Sequence, residues 1–328
     1  MRELHYISRR QAEWDAWDRW LRSAKPGADA DMPLSTLPER FRRLCHDLAL
    51  ARDRQYSSVL VDALQQRVLA AHQRIYGAHK PEGNALIAFI GAGFPALVRQ
   101  EWRVVLPAFL LLMLPLIVMV FALQANPEAA YLFLSPDQAA QMEEMYAPTA
   151  KHLGRPRSAS SEWAMWGLYV ANNVRIDFQC FAGGIAFGVG AVFYLLYNGL
   201  QIGAVAGHLT QLGYIDTFWG FVAGHSAFEL TGAVLSGAAG LKIGAALLFP
   251  GRRGRRAALM ENSHAAVRLL YGAATLTFLA AFIEAFWSPN RGVPFEIKIG
   301  IGIALWCLTW AYLLLAGRGW TGKASRGT

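Results

Sequence analysis

The pattern of apolar and polar positions divides the chain near residue 103. Residues 1–103 mix charged and apolar positions, whereas from residue 104 onward the charges retreat to a few connecting segments. The stretch 104–123 carries no charge, and about twenty apolar residues are what an α-helix needs to cross a hydrocarbon core of roughly 30 Å. The pattern therefore predicts a soluble N-terminal region followed by an integral membrane domain.

Helical spacing in the soluble region predicts three amphipathic helices. Trp14 and Trp17 lie on one face of the first helix, a capping-box pattern at residues 36–39 starts the second, and the third begins after Ser57 or Ser58. Such apolar stripes are typical of the packing surface of a small bundle rather than of a cofactor site. We expect residues 1–90 to form a cytoplasmic helical domain, followed by an interfacial elbow helix at 91–103.

Further apolar segments extend the membrane domain from residue 104 to 317. The segment 217–249 is too long for one ordinary span of about 20 residues, so we expect a hairpin or a broken, re-entrant helix pair there. The predicted fold class is all-α, with about five to six membrane segments, an external loop at 125–163 and a cytoplasmic tail at 318–328. After the first span, the apolar segments are 164–173, 178–206, 217–249, 267–287 and 297–315.

The charge distribution indicates topology rather than nucleic-acid binding. The net charge is +8, but the basic residues cluster beside apolar segments, as the positive-inside rule requires of cytoplasmic loops. We therefore expect a multi-pass protein of the bacterial inner membrane with both termini in the cytoplasm. With 54% apolar and 16% charged residues, the composition also differs from that of a soluble domain. The clustered basic residues are Arg252, Arg253, Arg255, Arg256, Arg318, Lys323 and Arg326.

Small residues recur every fourth position in two apolar segments. This small-xxx-small spacing allows helix backbones to approach closely, either within one subunit or across a dimer. Because symmetric oligomers are common, we predict a homodimer. The residues are Gly184 and Gly188 in one segment and Gly232, Ser236, Gly240 and Gly244 in the other.

Several polar residues lie within or beside the apolar segments, where they are costly unless partnered. His225 and Glu229 are four residues apart and so share a helix face. Lys242 is expected to pair with Glu229 or Glu284, or to reach the inner surface. The predicted polar intramembrane core consists of His225, Glu229, Glu284, Lys242, Asn172, Asn173, Arg175, Asn198 and His208.

Three interpretations of His225 and Glu229 stay open. They are a hydrogen-bonded pair that fixes helix packing, a site for protons or ions, or a zinc site, although the H-E-x-x-H spacing and a nearby third ligand are missing. We predict no catalytic residue and no cofactor. Asn172 and Asn173 start a turn-like run and are expected to cap the span that follows. The dipeptide Asn198-Gly199 is expected to open a kink or a polar contact between spans.

These segments resemble the stage II sporulation protein M family of bacterial membrane proteins, over roughly residues 90–317. The combination includes an Asn-rich segment, an Asn-Gly inside a span, a histidine four residues before a glutamate, and a glutamate in the penultimate span. The matching stretches are FPALVRQEWR (94–103), NNVRIDFQCFAGGIAFGVG (172–190), YNGLQIGAVAGH (197–208), GHSAFELTGAVLSGAAGL (224–241) and AAFIEAFWSP (280–289).

The resemblance implies an all-helical inner-membrane protein that anchors a cell-envelope complex, as the sporulation member does for a peptidoglycan-remodelling machine containing cell-wall hydrolases. We expect a non-enzymatic scaffold in the lipid bilayer that serves a peptidoglycan-remodelling or membrane-stress complex, with residues 1–90 binding a cytosolic partner. The runner-up is a homo-oligomeric channel or transporter that uses His225, Glu229 and Glu284. A third class is an intramembrane metal-dependent hydrolase.

Overall fold

The computed structural model describes residues 3–23, 32–76, 85–150, 152–154, 162–252 and 254–318. These residues are almost entirely helical and include no strand, so the predicted all-α class is confirmed. The chain forms two compact units, Met1–Gly83 and Asn84–Thr328. Predictions that concern residues 155–161 of the external loop, Arg253, and the tail beyond residue 318 lie outside the described residues.

The N-terminal unit contains the three predicted helices, α1 (Glu3–Arg22), α2 (Leu37–Asp53) and α3 (Ser58–Tyr76). Their apolar stripes meet in one core, with Trp14 and Trp17 almost completely buried. The predicted capping box at Thr36 is wrong. Thr36 lies in a 3₁₀ turn, and its hydroxyl donates to the Pro33 carbonyl at 2.9 Å instead of accepting from the helix.

A buried carboxylate, Asp47, connects α1 to α2 in this unit. It accepts hydrogen bonds from the Tyr6 hydroxyl at 2.8 Å, the Trp14 indole at 2.9 Å and the Arg10 guanidinium at 2.7 Å. Burial raises the pKa of the Tyr6 phenol well above its usual range, and the bond to Asp47 raises it further. The hydropathy pattern did not reveal this hub, because one acidic residue between Leu44 and Leu48 resembles an ordinary surface position.

The membrane unit begins with an elbow that is longer than predicted. Two short helices, α4 (Ala85–Ala88) and α5 (Phe94–Gln100), are joined by a π-helical turn over Phe89–Gly93. Arg99 donates to the Leu313 carbonyl at 2.8 Å, which ties the elbow to the last helix of the bundle. The helices that follow are α6 (Trp102–Ala125), α7 (Pro136–Tyr146), α8 (Glu162–Ala182), α9 (Val189–Gln211), α10 (Ile215–Leu248), α11 (Arg255–Phe286) and α12 (Phe295–Leu315).

Among the described residues, α6, α9, α10, α11 and α12 are long and apolar enough to cross a bilayer. The shorter α7 follows an N-cap at Ser135, whose hydroxyl accepts from the Gln138 backbone amide while the Gln138 side chain accepts from the Ser135 backbone amide. Helix α8 is more polar, yet it packs against α10 and α11 along the bundle. These findings confirm a polytopic helical membrane protein.

The predicted hairpin at 217–249 is wrong, because α10 is one continuous helix of 34 residues. At 1.5 Å per residue it is about 51 Å long, more than a hydrocarbon core requires, so it must tilt or project beyond the core. Most of its residues are buried against neighbouring helices. Its Gly, Ala and Ser positions therefore serve close packing along an unbroken helix rather than a turn.

The predicted continuous span at 178–206 is also wrong. Helix α8 ends at Ala182, a 3₁₀ turn covers Gly183–Ile185, and α9 starts at Val189. The chain reverses through Phe187 at φ +53° and Gly188 at φ +83°, conformations that glycine adopts most easily. Near its start α8 packs beside Ala285, and at its end it reaches Gly240, so α8 runs along α10 and α11.

The small residues pack against one another within the chain. A Cβ added at Gly184 would collide with the carbonyl oxygen of Gly240, and one at Gly244 would collide with the Cα of Gly188. Gly232 faces Thr277 in the same way, with 2.8 Å left between an added Cβ and the threonine methyl. Of the two alternatives for this spacing, the structure shows the contact within one subunit, and the homodimer stays a prediction.

Candidate functional site

His225, Glu229 and Glu284 meet inside the membrane unit. The first two lie one turn apart on α10, and the third lies near the end of α11. One potential ligand atom from each residue lies within 4.8 Å of the other two. The imidazole Nε2 is 3.7 Å from Glu229 Oε2, which is an ion-pair distance but too long for a good hydrogen bond. The third group that the sequence did not show beside His225 is therefore Glu284.

The chain segment after α11 holds the imidazole from its other side. The Nδ1 atom of His225 lies 3.0 Å from the Ser288 hydroxyl, and both residues are buried. The Ser288 carbonyl in turn accepts from Lys298 Nζ at 2.8 Å, and Lys298 is itself only 4% exposed. The segment after α11, held in turn by Lys298 of α12, thus orients the ring with Nε2 towards Glu229.

A small cavity adjoins Glu229, and His225 is not among the residues that line it. Its volume is about 20 Å³, which is room for a water molecule, and its polar lining includes Asn173, Asp177 and Asn198. Asp177 accepts from the Thr277 hydroxyl at 2.8 Å, while its Oδ1 and the Asn173 Nδ2 have no hydrogen-bond partner among the described residues. In a mostly apolar lining, these two polar atoms can still bond a water molecule.

The asparagines do not cap a helix as predicted. Asn172 and Asn173 lie in the middle of α8, where Asn173 faces the cavity, and Arg175 donates to the Asn172 side chain at 3.2 Å on the exposed face.

Asn198 donates to the Tyr194 carbonyl at 2.7 Å within an unbroken α9. The helix continues through this position, and Gly199 allows the backbone of α6 to approach closely at Leu112.

Lys242 is not part of the polar core. Its Nζ lies 2.8 Å from Glu101 Oε2, at the residue that joins α5 to α6, so the predicted pairing with Glu229 or Glu284 is wrong. A lysine at the end of the bundle can keep its ammonium group outside the hydrocarbon core, where a charge is less costly. The partner lies 141 positions away and was not apparent from spacing.

His208 also lies outside the core, near the C-terminal end of α9. Its Nε2 is 2.8 Å from Glu143 Oε1, and Glu143 belongs to α7 in the predicted external loop. The Thr217 hydroxyl donates to the Tyr146 carbonyl at 2.6 Å and ties the same helix to α10. The loop helix is thus fastened to the bundle, and His208 acts as a structural contact there.

Comparison with known proteins gives the following findings. The family model described as Stage II sporulation protein M matches residues 108–289, more than half of the chain, and includes the whole polar site. A second model, described as Domain of unknown function (DUF8413), matches residues 5–77. Uncharacterized protein MJ0793 of Methanocaldococcus jannaschii is 25% identical over 123 residues, which is 37% of this chain and 69% of that protein. No solved structure matches.

Proposed function

We propose, since this chain belongs to the stage II sporulation protein M family, that it is a non-enzymatic inner-membrane scaffold of a cell-envelope complex. The observation that carries the proposal is the division into two independently packed units. The three-helix unit has its own core, matches its own family model and lies outside the residues matched by the membrane family. A separately folded module in the same chain as a membrane bundle is suited to binding a cytosolic partner.

A second exposed segment supports the same function on the external side. The acidic residues Glu128, Asp137 and Glu144 are exposed there, while Glu143 and Tyr146 fasten α7 to the bundle. An acidic surface held in one orientation favours a basic or polar partner over lipid. We therefore place cell-wall hydrolases among the partners to be sought on this side.

Deleting residues 1–83 is expected to abolish recovery of the cytosolic partner while leaving the membrane unit intact. The deletion removes one compact unit as a whole, so no buried core is cut. The measurement is affinity recovery from native membranes in mild detergent after light cross-linking, with partners identified by mass spectrometry. A chain shortened by residues 319–328 is the control, because it keeps both compact units. Identical partner sets from the deleted and intact chains would refute the scaffold role of the N-terminal unit.

A channel or transporter is the second candidate, and the observation in its favour is the cavity beside Glu229 in the interior of the bundle. Intramembrane carboxylates at such places are typical of proton or ion pathways. On this hypothesis, purified protein in liposomes carries a flux of protons or cations that falls at least tenfold in Glu229→Gln. Glu143→Gln in the external helix is the matched control and keeps the flux. Intact protein that gives no flux above empty liposomes would remove this candidate.

A further inference from the structure

We propose that His225, Glu229 and Glu284 form a binding site for a divalent metal ion, with Zn²⁺ as the first ion to test. The site offers one imidazole nitrogen and two carboxylates from α10 and α11. Nitrogen and oxygen donors of this kind bind Zn²⁺ and other first-row divalent ions. The inference goes beyond the scaffold role and does not depend on it.

The distances are compatible with a site that closes slightly around an ion. The three ligand atoms lie within 4.8 Å of one another, and the His225 and Glu229 atoms are 3.7 Å apart. Around Zn²⁺ with bonds of roughly 2.1 Å, tetrahedral ligand atoms are about 3.4 Å apart. Rotation of the glutamate side chains, which moves their carboxylate oxygens by about an ångström, brings the ligand atoms to the separation found around Zn²⁺. The Glu229 side chain is 27% exposed, so the site has an opening.

The imidazole is already held as a metal ligand would be. In the tautomer with hydrogen on Nδ1, His225 donates to the Ser288 hydroxyl at 3.0 Å, and the lone pair of Nε2 points towards Glu229. Histidines that bind metals regularly have their second nitrogen fixed in this way. Lys298 anchors the Ser288 carbonyl at 2.8 Å, so its positive charge supports the outer layer instead of neutralising the carboxylates.

The local charge favours a dication. Among the described residues, no lysine or arginine forms an ion pair with Glu229 or with Asp177 on the neighbouring cavity wall. Acidic groups grouped inside a membrane domain are costly unless they are protonated or meet positive charge. One divalent ion held by both glutamates supplies that charge. The cavity beside Glu229, where Asp177 Oδ1 and Asn173 Nδ2 have no hydrogen-bond partner among the described residues, has room for a water molecule.

The test measures metal content and metal-dependent stability of the full chain in mild detergent. Protein purified without chelator is expected to hold about one Zn²⁺ per chain by mass spectrometry of the elements. After chelator treatment, added Zn²⁺ should raise the thermal midpoint by several degrees. Glu284→Gln and His225→Asn should each lower the affinity at least tenfold. His208→Asn is the matched control, because it removes the other histidine of a His–Glu pair and should keep the metal.

The stability of the metal-free protein distinguishes a metal site from a cluster that only packs helices. If the site binds metal, Glu284→Gln without metal is as stable as the metal-free intact chain, or more stable, and no longer responds to Zn²⁺. If the three residues only pack helices, Glu284→Gln is less stable with and without Zn²⁺, and the intact chain shows no response. Replacing zinc by Co²⁺ in the intact chain gives a check that needs no variant, since bound Co²⁺ produces visible absorption bands. Lack of these bands together with lack of thermal stabilisation would overturn the proposal.

Discussion

Replacing Asp47 by alanine is expected to destabilise the N-terminal unit by about 3 kcal/mol. The variant leaves the Tyr6 hydroxyl, the Trp14 indole and the Arg10 guanidinium without the acceptor that they share in the buried interface of α1 and α2. Removing one member of a buried charged network costs more than the net value of the contact, because the remaining groups have already lost their water. The loss corresponds to about 100-fold less protection of α2 amides against hydrogen exchange.

Asp18→Ala is the control for this prediction. Asp18 pairs with Arg67 at 2.7 Å in the same unit, but the two side chains are 27% and 21% exposed, so water replaces the lost partner more easily. The expected loss is about 1 kcal/mol or less. Equal losses of protection in Asp47→Ala and Asp18→Ala, measured in the intact chain, would show that Asp47 is not the central contact.

Replacing Gly184 by alanine is expected to destabilise the membrane unit by about 3 kcal/mol, at the upper end for overpacking. The added methyl group would overlap the carbonyl oxygen of Gly240 in α10, and a backbone atom cannot turn aside as a side chain does. The reversal between α8 and α9 must then separate from α10, which loosens the contact of Gly188 with Gly244 as well. The thermal midpoint of the detergent-solubilised chain should fall by several degrees.

Gly300→Ala is the matched control, because Gly300 also lies in a membrane helix, α12, but has no atom within 4 Å of an added Cβ. Its thermal midpoint should stay within about a degree of that of the intact chain, since a methyl group on an open helix face costs little. A stable Gly184→Ala protein would mean that the turn and α10 do not meet as closely as the structure shows.

Much of the architecture could be predicted from local pattern. The three stripes in residues 1–103 and the apolar segments all appeared as helices. The wrong predictions concern helix ends, because the position of a helix end depends on the helices packed against it. The length of 217–249 was interpreted as a sign of a break, yet α10 is continuous, and the break lies at Gly183–Ile185 instead. Glycine permits both outcomes, and packing against Gly240 decides between them.

The candidate site shows the same division. The spacing of His225 and Glu229 predicted a shared helix face, and the structure places them 3.7 Å apart. The other contacts join distant parts of the chain, as Glu284, Ser288 and Lys298 do at His225. Lys242 and His208 were expected in the core, but they have partners elsewhere that lie 141 and 65 positions away in the chain.

The sequence by itself determined that this protein has a helical N-terminal unit and a helical membrane unit, because burial in lipid and helical periodicity depend on neighbouring residues within one segment. Only the tertiary structure decided which polar groups meet. A contact such as that of His225 with Glu284 needs two helices in a definite rotation and depth, and the close packing of glycine surfaces sets both.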